Sequence, residues 1–303
     1  MHPSTKHKID SINQFLRRNG KKLVQKYSNV NGVYIERRIR ADEVVNRFCI
    51  VFHVEAKQPL EEVKKKIPAY IDVPGRIGNR KVTYKVPTDV RAVGKPRMQT
   101  YLISSQGGLT VSKGTLTGYI ERDGAIYYIS NMHVLGMPYI HDGEYDVEDD
   151  TDDLNVKVEG KSICAFRKGL LTLSGEFDVA RCEKLKNHSA SEAFDLDALV
   201  LVPEDDLTYV MEDPIWINCY GHQNETYGAA QIINVVPGPV DFDLDGSTVS
   251  LSNLLLISPV ITDAGDSGAL IFDDEQNAYG LIVGADDVNS YAINLNKAIN
   301  YLF

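Results

Sequence analysis

The chain has 303 residues, 43% of them hydrophobic, and a formal net charge of −10 from 32 Lys and Arg against 42 Asp and Glu. That length suits two domains, or one domain with an added module, and the apolar content allows a full core. There is no apolar run of the roughly eighteen residues a membrane helix needs, and the polar, Lys-rich start carries no apolar signal region, so composition argues for a soluble, cytoplasmic protein without membrane contact.

The charge is unevenly spread. Residues 1–98 hold 22 Lys and Arg with 9 Asp and Glu, whereas residues 99–303 hold 10 and 33, which gives about +13 and −23. This division marks a basic module, 1–98, and an acidic domain, 99–303, that attract one another, or an acidic surface that steers basic substrates. The basic residues are dispersed among apolar positions, with no nucleic-acid motif and no aromatic stacking pair. The module therefore reads as a solvated basic surface open to a protein partner, not as a nucleic-acid binder.

Within the module, Ile9, Ile12, Leu16, Leu23, Val24 and Tyr27 recur on one face and predict a helix over residues 9–27, which Gly20 weakens or splits in two. Residues 32–36 and 48–55 alternate as strands, 59–66 has proline in the first turn of a short helix, and 81–86 alternates again. The module is α+β. From residue 99 onward, short apolar runs separated by Gly, Asp and Asn suit an all-β barrel domain. Residues 294–303 read as a short terminal helix packed back on it.

Cys49, Cys164, Cys182 and Cys219 are far apart and lack C-x-x-C spacing, so they read as buried free thiols in a reducing compartment. Residues 142–153 hold eight acids in twelve positions. Clustered oxygens suit calcium, but the order of acids follows no calcium-loop pattern and dense like charge reads as a solvated loop, so no metal is assigned.

Three positions in the acidic domain carry chemistry. An apolar run ends in Ser130-Asn131-Met132-His133-Val134-Leu135, so His133 sits where a strand stops. The other histidines have less suitable settings: His2 and His7 in a polar tail, His53 within a strand pattern, His141 and His188 beside acidic or polar loops, His222 after a glycine. Phe177-Asp178-Val179-Ala180 puts a carboxylate in an apolar run, which is costly unless fixed donors satisfy it. Asp195 and Asp197, flanking Leu196, are the alternatives. Gly265-Asp266-Ser267-Gly268 lies between two apolar runs, and its glycines permit the sharp turn that converges backbone N–H groups and the Ser267 hydroxyl on one point. A serine hydroxyl needs a base to take its proton, usually a histidine oriented by a buried carboxylate. Each residue also has a plain structural reading: a core histidine, a strand-end cap and a β-turn.

The order His133, Asp178, Ser267 is that of chymotrypsin-like enzymes. With these motifs, residues 99–303 resemble the trypsin-like (chymotrypsin-fold) serine peptidases, and specifically the intracellular, disulfide-free bacterial branch that reads Ser-Asn-x-His-Val-Leu at the histidine. Secreted members carry a cysteine beside the histidine and another shortly before the serine, where this chain has Val134 and Asp263. Residues 114–120 resemble the strand that precedes the histidine strand, and 279–284 the cleft-lining strand after the serine. Intracellular relatives often carry a comparable module ahead of the barrels, ending near a segment like residues 86–90.

The resemblance implies a mainly β fold: two six-stranded antiparallel barrels behind the α+β module, meeting between residues 185 and 210. It implies a serine endopeptidase acting on a protein or peptide without cofactor, with Ser267 as nucleophile, His133 as base and Asp178 as its orienter. The N–H groups of Gly265 and Ser267 form the oxyanion hole; Ile261, Thr262, Asp263, Val283 and Gly284 line the substrate site. In trypsin an acid stands six positions before the serine, where this chain has Ile261. Asp263, Asp286 and Asp287 keep negative charge nearby and suggest Lys or Arg before the cut, with small or apolar residues as the alternative. Secreted relatives pair the acid before the serine with a freed N-terminal amine, so Asp266 requires another partner here. Bacterial relatives imply limited proteolysis that activates a partner in stress or defence; a pseudoprotease or peptide-binding module of the same fold is the other reading.

Overall fold

The computed structural model describes residues 3–303 except 28, 41–42, 60, 62, 99–100, 105–109, 137–143, 147–154, 159–160, 173, 186–193 and 222–224. The chain opens with one helix, α1 (Pro3–Lys26). Ile9, Ile12 and Leu16 on its apolar face are fully buried, with Leu23, Val24 and Tyr27 continuing the stripe. Gly20 does not split it. A Cβ there would lie 3.0 Å from Pro239 Cδ, so the glycine instead allows the helix to cross a backbone turn closely.

Beneath α1 lie β1 (Val30–Arg40) and β2 (Glu43–Val54), paired antiparallel, then β3 (Tyr70–Ile77) and β4 (Arg80–Ala92), a hairpin whose second strand runs parallel to β2. Val33, Ile35, Ile50, Phe52, Val73 and Val86 form the core with the helix face. The strand β3 is not evident from sequence because Pro74 and Gly75 read as breakers; it is an edge strand, where a missing N–H costs no ladder bond. The helix expected over 59–66 is not formed among its described residues, which are turn and irregular. Lys64, Lys65 and Lys66 are exposed and leave no apolar face to hold a helix down.

The strands continue with β5 (Arg97–Met98), β6 (Tyr101–Ser104) and β7 (Thr110–Lys113), the last two a separate hairpin. Next come β8 (Gly118–Arg122), β9 (Ala125–Ser130), α2 (Met132–Leu135), β10 (Glu144–Asp146), β11 (Asn155–Val158), β12 (Lys161–Thr172), β13 (Ser174–Gly175) and β14 (Asp178–Lys184). The order β8-β9-β14-β12, with β10 and β11 both paired to β12, makes an antiparallel sheet. The strand expected over 114–120 begins only at Gly118: the Thr115 N–H is spent on the Ser267 carbonyl, whereas the Thr117 N–H already reaches the Ile129 carbonyl of β9.

The remaining elements are β15 (Val200–Leu201), β16 (Ile215–Tyr220), β17 (Glu225–Val236), β18 (Val240–Leu244), β19 (Ser247–Leu251), β20 (Leu254–Ser258), β21 (Leu270–Phe272), β22 (Asn277–Ala285), β23 (Ser290–Asn294) and α3 (Leu295–Leu302). Strands β16, β17, β20, β23, β22 and β21 pair in that order and β21 returns to β16, closing a six-stranded antiparallel barrel. Alternating buried residues such as Leu255, Ile257, Ile271 and Ile282 fill it. The second closed barrel expected from the resemblance is not formed among the described residues: the sheet holding β9 and β14 stays open there, and several of its connections lie outside the description. The helix α3 matches the expected terminal helix, with the Asn294 side chain accepting the Lys297 N–H as its cap.

Module and barrel share one sheet. Strand β1 pairs with β18 through Gly32 and Val240, and β5 lies between β22 and β18. Residue 98, where the charge changes sign, ends β5. No helix among the described residues is long and apolar enough to cross a membrane.

Candidate active site

His133 is the second residue of α2, a single turn that begins once extended Asn131 ends the β9 ladder. Asp178 opens β14, which pairs with β9 through Ala180 and Ser130, so register alone brings the carboxylate beside the histidine. Asp178 Oδ1 accepts the backbone N–H of His133 at 3.0 Å, and Oδ2 contacts the ring Nδ1. The Asn131 side chain donates to the Asp178 carbonyl at 2.9 Å. Asp178 is 0% exposed, and the two His133 contacts satisfy the carboxylate charge that burial would otherwise penalise. Because the carboxylate only accepts, Nδ1 carries the imidazole proton and Nε2 presents its lone pair.

That lone pair faces Ser267. Oγ of Ser267 lies 2.8 Å from His133 Nε2 and 3.3 Å from the carbonyl of Val283. Ser267 sits in the turn between β20 and β21, where Gly265 has φ 104° and Gly268 φ 90°, both in the region that favours glycine. At Gly268 packing adds to conformation, since a Cβ would stand 2.0 Å from the Thr115 carbonyl.

The carbonyls of this turn point into the protein. Thr115 donates its N–H to Ser267 O at 2.7 Å and its hydroxyl to Gly265 O at 2.9 Å, while Thr117 donates to Gly268 O at 2.7 Å. The N–H groups of Asp266, Gly268 and Ala269 are bonded to Asp263, Ile282 and Asp266 carbonyls. Those of Gly265 and Ser267 have no acceptor among the described residues, which leaves two adjacent donors beside the serine hydroxyl. Buried Asp266 accepts the N–H of Asp263 at 3.0 Å, a partner within its own turn, and Gly221 leaves room for its carboxylate.

The expected substrate-site residues fall into two groups. Val283 and Gly284 are on β22, with the Val283 carbonyl against the Ser267 hydroxyl. Ile261 and Thr262 are tied to β23, through the Ile261 N–H to Ser290 Oγ at 3.2 Å and a 2.9 Å contact between the Thr262 and Ser290 hydroxyls. The Asp263 side chain is exposed. Asp286 is buried and committed internally, accepting from Tyr291 Oη at 2.6 Å, Val288 N at 2.8 Å and Asn289 N at 2.7 Å. Burial pushes its carboxyl up. Asp195 and Asp197 are elsewhere: Asp195 caps a short turn and Asp197 pairs with Arg122 at 2.8 Å.

Residues Thr115, Thr117, Ser130 and Asn131 hold the site from behind; in the sequence they fall within the strand and motif around His133, which assign them no role in the site. Ser130 donates to the Thr115 carbonyl at 2.6 Å, linking the histidine strand to the segment that grips the serine turn. No cluster of metal-ligating side chains occurs among the described residues. Of the acidic stretch 142–153 the structure describes only β10, so the calcium question lies outside the described residues. All four cysteines are free and buried. No protein-family model matches the chain, and no curated protein aligns with it.

Proposed function

We propose that this chain is a serine endopeptidase of the trypsin-like class, built on the two-barrel plan, that hydrolyses peptide bonds in a protein substrate. The observation that carries the reading is the continuous relay from Asp178 through His133 to Ser267, closed by the 2.8 Å contact between Nε2 and Oγ. Ser267 Oγ attacks the scissile carbonyl while its proton passes to Nε2, and Asp178 stabilises the imidazolium that forms. The N–H groups of Gly265 and Ser267 receive the oxyanion. His133 then protonates the leaving amine, and a water activated by the same nitrogen releases the acyl group from Ser267.

Two features bear on specificity. Asp286 is occupied by four internal donors, counting the Asn289 amide, and Thr262 and Ser290 bridge the segment where the resemblance puts the pocket. Asp286 is thus unavailable to a substrate cation, which favours a small or apolar residue before the cut, while exposed Asp263 beside Thr262 is the one carboxylate of this segment open to Lys or Arg. The second reading, a peptide-binding protein without turnover, draws on the burial of Asp178, His133 and Ser267, each 0% exposed. Fluorophosphonate labelling separates the two: a peptidase forms an adduct at Ser267, and a non-catalytic binder forms none.

A further inference from the structure

We propose that residues 93–98 occupy the peptide-binding edge of β22 as an intramolecular stand-in for substrate and hold the active site closed until they are displaced. The consequence for activity rests on the endopeptidase reading, whereas the occupancy rests on geometry alone.

The Val283 carbonyl is 3.3 Å from Ser267 Oγ, so Gly284 and Ala285 extend the strand edge outward from the nucleophile. A peptide presenting its carbonyl to Ser267 would run along that edge as an added strand. The edge is already taken. Strand β5 pairs antiparallel to it, Met98 opposite Gly284 and Arg97 opposite Ala285. Gly284 has no Cβ where one would stand 2.4 Å from the Arg97 carbonyl, so the edge is shaped for a backbone to lie on it.

The segment is held on both flanks. The Asp287 N–H donates to Val93 O at 2.9 Å on one side. On the other, the Asp243 N–H donates to Pro96 O at 2.9 Å and Lys95 Nζ meets Asp243 Oδ2 at 2.6 Å. Met98 is 6% exposed, within the same apolar core as Phe242 and Tyr291. Further holds are the Val93 N–H to Val54 O at 3.0 Å, the Asn31 amide to Gly94 O at 2.9 Å and the pairing of Arg97 with Asp243 of β18, while β5 itself contributes two residues and the Lys95–Asp243 pair is partly solvated, a class of contact that stabilises little. Displacing the segment breaks these contacts and exposes the buried Val93 and Met98, which keeps the closed form dominant in the intact chain. The triad is buried, so a polypeptide cannot reach Ser267 without a rearrangement, and this strand lies where the polypeptide must go.

The test loosens the segment away from the catalytic machinery. Gly94 has φ 80° and a Cβ there would stand 2.3 Å from Asp287 Oδ2, so Gly94→Val strains the segment, and Lys95→Glu reverses its ion pair. In the double variant, hydrogen–deuterium exchange over residues 281–286 and the rate of fluorophosphonate labelling at Ser267 should each rise at least ten-fold over the intact chain. Lys95→Glu alone should move both in the same direction, which guards against a misfolded double variant. Rapid exchange over 281–286 in the unaltered chain, or an exposed edge in the variant with an unchanged labelling rate, overturns the proposal. If neither protein labels while exchange rises in the variant, the occupancy is supported and the endopeptidase reading fails instead.

Discussion

Oγ of Ser267 lies 2.8 Å from Nε2 of His133, although 134 residues separate them in the chain. His133 comes from the turn after β9 and Ser267 from the closed barrel, so their contact exists only when the two β units are assembled. Chemistry of this kind is sensitive to displacements of about 1 Å, which makes the contacts behind the triad as consequential as the triad itself.

Asp178→Asn keeps the shape of the side chain and its acceptor for the His133 N–H, but removes the charge and presents an amide to Nδ1. The imidazole then adopts the wrong tautomer, with Nε2 protonated toward Ser267. Turnover measured in the opened Gly94→Val/Lys95→Glu background should fall by roughly four orders of magnitude, with circular dichroism unchanged. A loss of less than ten-fold would remove Asp178 from the relay.

Thr115→Val removes the hydroxyl that donates to the buried Gly265 carbonyl and nothing else of similar size. An unsatisfied buried acceptor costs about 1–3 kcal/mol. Under the proposed mechanism the Gly265 N–H is one of the two oxyanion donors, so kcat should fall more than KM rises. Steady-state kinetics on a peptide amide read that split directly.

Gly268→Ala combines a backbone conformation that side chains rarely adopt with a Cβ 2.0 Å from the Thr115 carbonyl. Strain of this type costs about 1–3 kcal/mol before the clash is relieved. Chemical denaturation should show a loss of more than about 2 kcal/mol together with lost activity. An Ala variant as stable as the parent would mean the turn is not held as described.

The pH dependence of stability follows from His53, which is 2% exposed at the meeting of β2 with β22 and β23. Its neighbours are the hydroxyls of Tyr34 and Tyr291 and the Asp286 carboxyl, with Nδ1 4.0 Å from Oδ2. Burial, and then the charge of Arg91, push it down from 6.5 to about 3, so the 4.0 Å approach is not an ion pair: His53 is neutral and the carboxylate is satisfied elsewhere. The unfolded chain binds a proton near pH 6.5 that the folded chain refuses. This contribution to stability is therefore complete above that pH and is lost as pH falls from 6.5 toward 3, at up to about 1.4 kcal/mol per unit. Urea midpoints of the parent and of His53→Asn between pH 7 and 4.5 should converge as pH drops.

How much was legible in the sequence depended on whether a feature is local. His133 at a strand end, Asp178 in an apolar run and the glycine-flanked Ser267 each announce themselves within a few residues, and their order supplied the relation between them. Helix α1 was legible for the same reason, through periodicity, and strand β22 through the resemblance of residues 279–284 to a cleft-lining strand. The short helix over 59–66 was read from proline position without an apolar face to anchor it, and β3 was hidden because edge strands tolerate the residues that usually mark a break. Thr115 and Thr117 were invisible as site residues, since their partners at Gly265 and Gly268 lie 150 and 151 residues away. The pairing of β5 with β22 was equally beyond reach: two residues carry no period, and nothing in them names their partner strand.

The most direct measurement is fluorophosphonate labelling of the Gly94→Val/Lys95→Glu protein, alone and with Ser267→Ala or His133→Ala added, with the site of attachment mapped by mass spectrometry. The relay from Asp178 through His133 predicts one adduct, on Ser267, absent in both added variants. An adduct that persists after Ser267→Ala, or no adduct in a folded protein whose β22 edge is open, would contradict it.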